Sequence, residues 1–367
     1  MALTKVSTGV VDMSGNTGGL VIAKGNDLER PASPSIGMIR ESTETTPSKV
    51  EVYTDNGGAP DWQFLEEVGP TTIAPLTVDY LVVAGGGGGG GLGGGGGAGG
   101  LLSSFGSSGR NTAALNSETP STGTNINITV GTGGSYGSYS PTITAGNGSN
   151  SVIGFTTPVT AYGGGGGSSY NRTMGNGGSG GGGSHIYYPT GGSGTAGQGY
   201  NGGNAETGQP WSAGGGGGAG QLGGNYSGAT GGAGGDGMQN DITVATAGTG
   251  PYYGGGGGGG GYSSEGAGVA PGGAGNSTGT GANSNYGGPG TNNFGGGGGG
   301  GGYSGSTPSR GGIGGSGVVI FRYPSAYAIT FQTGVGFISS TATLSATSEK
   351  VTTITAGSGT ITFALTP

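Results

Sequence analysis

The residues of this sequence that could perform chemistry are few. His185 is the single histidine, and neither an acidic residue nor a recognisable nucleophile stands near it in the sequence. A nucleophilic triad needs a base and an orienting carboxylate within hydrogen-bond reach of the nucleophile, so we expect no triad here. The chain has no cysteine, which excludes disulfide bonds and thiolate metal sites.

Paired carboxylates, which most glycoside hydrolases require, are also hard to assemble. Between residues 85 and 317 the acidic residues are Glu118, Glu206, Asp236, Asp241 and Glu265. Two of them would have to meet at a defined separation across a glycosidic bond. The sequence therefore predicts a protein that is not an enzyme and that uses no cofactor.

Two glycine motifs resemble ligand sites only in form. G-x-G-x-x-G patterns recur, but none opens a helix with an acidic residue about 20 positions later, and no lysine lies between residues 85 and 317 to complete a phosphate-binding loop. Residues 231–238 match the calcium-binding nonapeptide once, whereas that site needs tandem copies. We expect neither nucleotide nor metal binding.

Glycine dominates the composition, with 105 of 367 residues, and its concentration in the middle divides the chain. We predict an N-terminal β-module over residues 1–70, a glycine-rich domain over 71–324 and a small C-terminal β-domain over 325–367. The net charge is −7 and no segment is basic, so binding to nucleic-acid phosphates is not expected. No apolar stretch approaches the ~20 residues of a membrane span, so we expect no membrane insertion.

Apolar runs flank the glycine-rich segment on both sides. Residues 78–84 pass directly into the seven glycines 85–91, and residues 311–317 lead into Val318-Val-Ile-Phe321. Short apolar runs bounded by glycine are typical of buried strands. We predict that these two strands lie side by side, so that the polyglycine leaves and returns at one place.

Between these strands, aromatic residues open runs of glycine about 40 residues apart. The openers are Tyr162, Trp211, Tyr253 and Phe294. Three structures compete: a flexible linker, an irregular glycine-rich β-structure, and a lattice of polyproline-II-type helices, which we favour. Helices without side chains approach closely enough to hydrogen-bond to one another, which would replace an apolar core. The segments between runs would then be loops at the ends of the bundle, and the aromatic residues would cap its faces.

The sequences on both sides of the glycine-rich domain predict short strands. Residues 49–54 alternate in polarity, 55–58 form a turn signal, and 61–65 supply a further strand with an aromatic anchor. Residues 325–367 alternate as four or five strands, which either form the outermost tip or fold back on the glycine-rich domain. The predicted fold class is mainly β, with small antiparallel β-modules at both ends, a polyglycine helix bundle between them and no significant α-helix. Modules this small bury little surface, which favours association with further copies of the chain.

Two stretches carry a resemblance to known proteins. Residues 30–40 read R-P-x-x-P-x-x-G-M-x-R, and Glu51-Val-Tyr53 and Trp62 follow. This series resembles a module of phage tail-fibre and related virion proteins. The strand 78–84 with its polyglycine, closed by residues 315–324, is similar to the glycine-rich domain of phage structural proteins.

The resemblance implies a virion structural protein, a tail-fibre or adhesin subunit carried outside the particle. Because fibres of this kind are trimeric, the resemblance and the small modules together predict a homotrimer. Such a protein would be assembled in the host cytoplasm and released on lysis, and its N-terminal module would contact other virion proteins. The residues that carry the motif, and hence the expected attachment, are Arg30, Pro31, Met38, Arg40, Tyr53 and Trp62.

Aromatic and polar residues between the glycine runs are candidates for binding a host cell-surface glycan or protein. They are Tyr170, Arg172, His185, Tyr187, Tyr188, Trp211, Tyr226 and Tyr286. Tyrosine offers contact area at little entropic cost, which suits recognition loops on a rigid scaffold. Two alternatives stay open: these tyrosines only cover backbone, or the protein is a purely architectural capsid-decorating or spacer fibre without a receptor.

Overall fold

The computed structural model describes residues 23–25, 38–42, 49–54, 61–64, 74–185, 187–273, 286–302, 309–332 and 336–366. The chain divides into two compact units, residues 1–73 and 74–367. The described residues are mainly β, as predicted, and their single helical element is a 3₁₀ turn at Gly109–Asn111. None of the described helical structure is long and apolar enough to cross a membrane.

The first unit contains a four-stranded sheet in chain order. Its strands are β1 (Ala23–Gly25), β2 (Ile39–Ser42), β3 (Lys49–Thr54) and β4 (Asp61–Phe64). The pairs β2–β3 and β3–β4 are antiparallel, as expected, but β1 and β2 are parallel. A parallel pair needs a long connection rather than a hairpin turn, and the proline-containing segment between β1 and β2 supplies the length.

The second unit contains two five-stranded antiparallel sheets and a short two-stranded ribbon. Its strands are β5 (Asp79–Val83), β6 (Leu101–Ser103), β7 (Ile126–Thr129), β8 (Ser151–Gly154), β9 (Val159–Ala161), β10 (Met238–Gln239), β11 (Tyr252–Tyr253), β12 (Val318–Pro324), β13 (Tyr327–Phe331), β14 (Ile338–Leu344), β15 (Glu349–Ala356) and β16 (Ser358–Leu365). The sheet orders are β14-β15-β12-β5-β6 and β13-β16-β7-β8-β9, and β10 pairs with β11. The predicted pairing of the flanking strands is confirmed, because β5 and β12 are antiparallel neighbours with Val83 opposite Val318.

Alternation along β12 explains why residues 318–321 are all apolar. Phe321 and Tyr323 face one core and contact Phe363 of β16, with ring centroids 5.9 and 5.3 Å apart. Val318 and Ile320 face a second core on the other side of the sheet. A strand buried on both faces has no polar face to show.

The C-terminal strands fold back on the glycine-rich domain, which is the second of the two placements left open by the sequence. β15 lies between β14 and β12, and β16 lies between β13 and β7. These strands therefore complete sheets that residues 74–324 begin, instead of forming a sandwich of their own.

The glycine runs form the lattice that the sequence favoured. Within residues 85–90, N–H groups three residues apart donate to the same neighbouring segment: Gly86 and Gly89 bond to Gly315 and Gly312 at 2.9 and 2.8 Å. Three residues per turn is the period of a polyproline-II helix. Six segments hydrogen-bond to this run: 94–97, 134–137, 146–149, 164–167, 298–301 and 312–315.

Only glycine allows such close neighbours. A Cβ atom added to Gly86 or Gly89 would overlap the carbonyl oxygen of Gly296 or Gly299. The backbone groups pair with one another across the lattice, which satisfies them without an apolar core.

The prediction that the segments between runs are only end loops is wrong, because several of them are further lattice helices. Gly181 donates to Gly175, Gly192 to Gly181 and Gly202 to Gly192. These helices lie inside segments of mixed composition, which hid them in the sequence.

Asparagine side chains accept the backbone hydrogen bonds left open at the edges of the lattice. The side-chain oxygens of Asn147 and Asn150 accept the N–H groups of Gly166 and Gly163 at 2.8 and 2.9 Å. Asn201 and Asn204 repeat this arrangement with Gly194 and Gly191. Asparagines three residues apart therefore replace the missing neighbour of an edge helix.

The two ends of the lattice differ. The first two glycine runs form an antiparallel pair that leaves β5, turns at Leu92 and returns to β6, and Leu92 takes a φ of 49° in that turn. Leu92 therefore marks the end opposite to the sheets, which we name the distal end.

Candidate functional site

Backbone hydrogen bonds bring separate parts of the chain to the distal end. The N–H of Tyr170 donates to the carbonyl of Gly91 at 3.2 Å, and that of Leu92 donates to Ser309 Oγ at 2.9 Å. Gly260 donates to Gly93 and accepts from Ala213, which places Trp211 and Tyr262 at the same end.

Six rings at this end form one connected series, which we name the aromatic surface. Its members are Tyr139, Tyr170, Tyr187, His185, Trp211 and Tyr262. Tyr170 contacts Tyr139, Tyr187 and His185 with centroids 5.1, 5.4 and 5.7 Å away. His185 continues the series to Trp211 at 5.7 Å, and Trp211 contacts Tyr262 at 6.4 Å.

His185 supports the aromatic surface from within. Its side chain is only 3% exposed, and its ring stacks on Trp211 with an interplanar angle of 26°. Burial lowers the pKa of His185 to about 4, because the charged imidazolium loses its hydration there. The ring is therefore neutral near pH 7 and holds its neighbours by packing.

The tyrosines of the surface are more open. Tyr187 is 55% exposed, Tyr262 41% and Tyr139 38%, whereas Tyr170 and Trp211 are half-buried. Partial burial, followed by a hydrogen bond with Tyr187, raises the pKa of Tyr170 above its ordinary value. Exposed rings on a buried aromatic base give the distal end a fixed apolar face with phenol groups.

Tyr286 belongs to a second group at this end. The guanidinium carbon of Arg310 lies 5.4 Å from the ring centroid of Tyr136 and 5.7 Å from that of Tyr286. These separations suit cation–π attraction, which holds the arginine between two rings. Tyr286 is itself 50% exposed.

The remaining candidates lie near the distal end but outside the ring series. Arg172 is exposed, and its N–H bonds to the Ser169 carbonyl at 2.6 Å. Tyr188 is half-buried in the turn after His185. A hydrogen bond to Glu206 raises the pKa of the Tyr226 phenol.

Sequence reasoning did not select Tyr139, Tyr262 or Arg310. Tyr262 could have been found, because it directly follows the glycine run 254–261 that Tyr253 opens. The convergence of Tyr139 and Arg310 depends on lattice contacts between distant segments, which no local pattern encodes.

The residues expected to attach the protein lie in the first unit. Tyr53 and Trp62 are direct partners on β3 and β4, with ring centroids 5.5 Å apart. Met38 is 40% exposed and precedes β2, which contains Arg40. Arg30 and Pro31 lie outside the described residues.

The described residues contain no cluster of side chains that could hold a metal ion. No group of three or more histidine, aspartate or glutamate residues stands together in that part of the chain. An open groove of about 500 Å³ lies beside β6 and β9, and Leu102, Glu118, Val159 and Tyr162 are among its lining residues. The side chain of Gln198 closes one margin of this groove, because it bonds to the Thr160 carbonyl and the Tyr162 N–H.

Comparison with known protein families gives a match. The family model described as a glycine-rich domain matches residues 68–324. No curated protein matches the chain.

Proposed function

This chain belongs to the glycine-rich domain family, and from that premise we propose that it is a structural subunit of a phage virion, a tail fibre or adhesin that displays the aromatic surface to the host. The N-terminal unit attaches it to other virion proteins, and the lattice is the rigid spacer. The protein works by binding and not by catalysis.

The observation that carries this proposal is the position of the aromatic surface. The second unit begins at Ala74, whose carbonyl accepts a hydrogen bond from Tyr327 beside the sheets. The aromatic surface lies at the other end of the same unit, at the turn of Leu92. A protein tethered near its sheets would therefore present these rings outward.

The chemistry of the surface suits a cell-surface glycan or protein. Exposed tyrosines offer apolar ring faces and hydroxyl groups together, and their fixed positions reduce the entropy lost on binding. The buried ring of His185, which stacks on the half-buried Trp211, provides that fixation.

The motif of residues 30–62 supports the virion assignment by its resemblance to the tail-fibre module. An external location follows from that assignment, with assembly in the host cytoplasm and release on lysis. The homotrimer expected from the sequence stays a prediction, and native mass spectrometry tests it.

We expect Tyr187→Ala to reduce binding of the protein to host cells at least about tenfold, since central aromatic side chains carry ≥2 kcal/mol in typical interfaces. The measurement is cell binding of the fluorescently labelled protein across a panel of bacteria. Tyr252→Ala is the matched control, because Tyr252 is 54% exposed but lies in β11 beside the sheets.

Equal binding by both variants would contradict the recognition role. That result would favour the architectural alternative, a capsid-decorating or spacer fibre. Immunogold labelling of intact particles would then locate the subunit on the capsid or tail.

A further inference from the structure

β14 is an unusual edge strand. It ends its sheet, and six of its seven residues are exposed, including Ile338 at 64%. An ordinary edge strand buries at least one face against its own sandwich. β14 instead lies mostly outside the core, which Leu344 alone of its residues contacts, and among the described residues no further strand pairs with its outer edge.

The strand lacks charge and proline, two features that usually keep edges apart, and its pairing with β15 has one register irregularity, between Ile338 and Ser339. Its sequence, Ile-Ser-Ser-Thr-Ala-Thr-Leu, contains neither a charged residue nor a proline. Natural edge strands are commonly protected by lysine, proline or shortness. The charged residues of neighbouring β15 are engaged elsewhere, Glu349 with Arg322 and Lys350 with the Tyr327 carbonyl.

We propose that β14 pairs in antiparallel fashion with β14 of a second copy of this chain. A two-fold axis through Thr341 places Ile338 opposite the partner's Leu344 and Ser340 opposite the partner's Ala342. Apolar side chains then meet at both ends of the interface and small side chains meet in the middle. The pairing joins two five-stranded sheets and adds about six to eight backbone hydrogen bonds.

A second copy fits this edge because the strand is self-complementary. The register opposes no like charges, and it covers the exposed Ile338 with leucine. A partner with a charged strand would find no complementary charge on β14. This two-fold pairing competes with the homotrimer expected from the sequence, and it is independent of the aromatic surface.

The test introduces charge at the centre of the interface. In the double variant Ser340→Lys/Ala342→Lys, the two-fold register brings lysines directly opposite each other, which destabilises the pair. We expect the dimer dissociation constant to rise by about tenfold or more, measured by sedimentation equilibrium and native mass spectrometry. The unmodified protein should have twice the 34.4 kDa mass of one chain.

The control is Thr330→Lys/Gln332→Lys, which adds the same charge at two exposed positions at the end of the opposite sheet. Its mass should equal that of the unmodified protein. Mixing the lysine variant with Ser340→Glu/Ala342→Glu should restore dimers that contain one chain of each, because opposite charges then face each other.

A single-chain mass for the unmodified protein at tens of micromolar would overturn the proposal. A mass of three chains, found for both the unmodified protein and the lysine variant, would also overturn it. Loss of dimers with no recovery on mixing would contradict the register. Cell binding by the unmodified protein is measured separately, so failure here leaves the proposed function standing.

Discussion

At the scale of single residues, the distal end depends on His185. A histidine in a loop of tyrosines would ordinarily be assigned to ligand contact or to a charge switch near neutral pH. Burial against Trp211 and Tyr170 instead keeps it neutral, with a pKa of about 4. Its role is to position the exposed rings around it.

This environment makes stability depend on pH. The unfolded chain protonates His185 near pH 6.5, and the folded protein does so only near pH 4. As pH falls from 6.5 to 4, the unfolded state binds the proton first, so the folded state loses stability. Above pH 6.5 both states are neutral and this contribution is constant.

We expect the free energy of unfolding to fall by about 2 kcal/mol from this group between pH 7 and pH 5. The measurement is urea unfolding at both pH values, and His185→Gln serves as the control that lacks the titration. Because the chain has one histidine, its NMR signal reports the folded pKa directly. A midpoint near 6.5 would refute the buried, neutral assignment.

At the scale of the element, the lattice helix replaces side-chain packing with backbone hydrogen bonds. Its tolerance of substitution therefore depends on where a Cβ atom would point, and not on hydrophobicity. Interior positions have a carbonyl oxygen in that place, whereas edge positions hold asparagine. Glycine content alone does not distinguish the two.

Gly89→Ala should therefore destabilise the protein by about 3 kcal/mol, since the added methyl group overlaps the Gly299 carbonyl and forces two helices apart. Gly208→Ala is the matched control, because a Cβ there meets no atom within 4 Å. Thermal unfolding of both variants measures the difference. Equal melting temperatures would mean that the helices are not packed at this distance.

At the scale of the whole molecule, the two five-stranded sheets and the lattice depend on each other through the C-terminal strands. Ile354, Ile361 and Phe363 come from residues after 324, yet they are fully buried in the core that β5 and β12 line. The sheets in turn hold the points at which polyglycine leaves and returns.

A protein that ends at Pro324 should therefore fail to fold cooperatively. Each large apolar side chain that leaves the core removes ~1.5–3 kcal/mol, and several together equal the ~5–15 kcal/mol stability of a typical domain. Far-UV circular dichroism during heating measures this. Removal of residues 1–73, a separate compact unit, should leave the melting transition intact. Cooperative melting of the chain that ends at Pro324 would contradict the prediction, because residues 325–367 would then form an independent domain.

Local sequence determined the strands and the glycine lattice between them. Alternation in residues 49–54 and 325–367, and the apolar runs at 78–84 and 318–321, predicted strands because side-chain pattern fixes which faces are buried. The absence of side chains likewise predicted a hydrogen-bonded glycine lattice. Each of these inferences needs only residues that are neighbours in the chain.

Only the tertiary structure decided which run lies beside which. Glycine runs are chemically identical, so no side chain encodes their register or neighbours. For that reason the sequence could not predict three features: the extra helices inside residues 168–294, the return of the C-terminal strands to the sheets, and the contact of Tyr139 with Tyr170. Long-range contacts fixed them: the sheets, the edge asparagines and the turn at Leu92 set which glycine segments hydrogen-bond to one another.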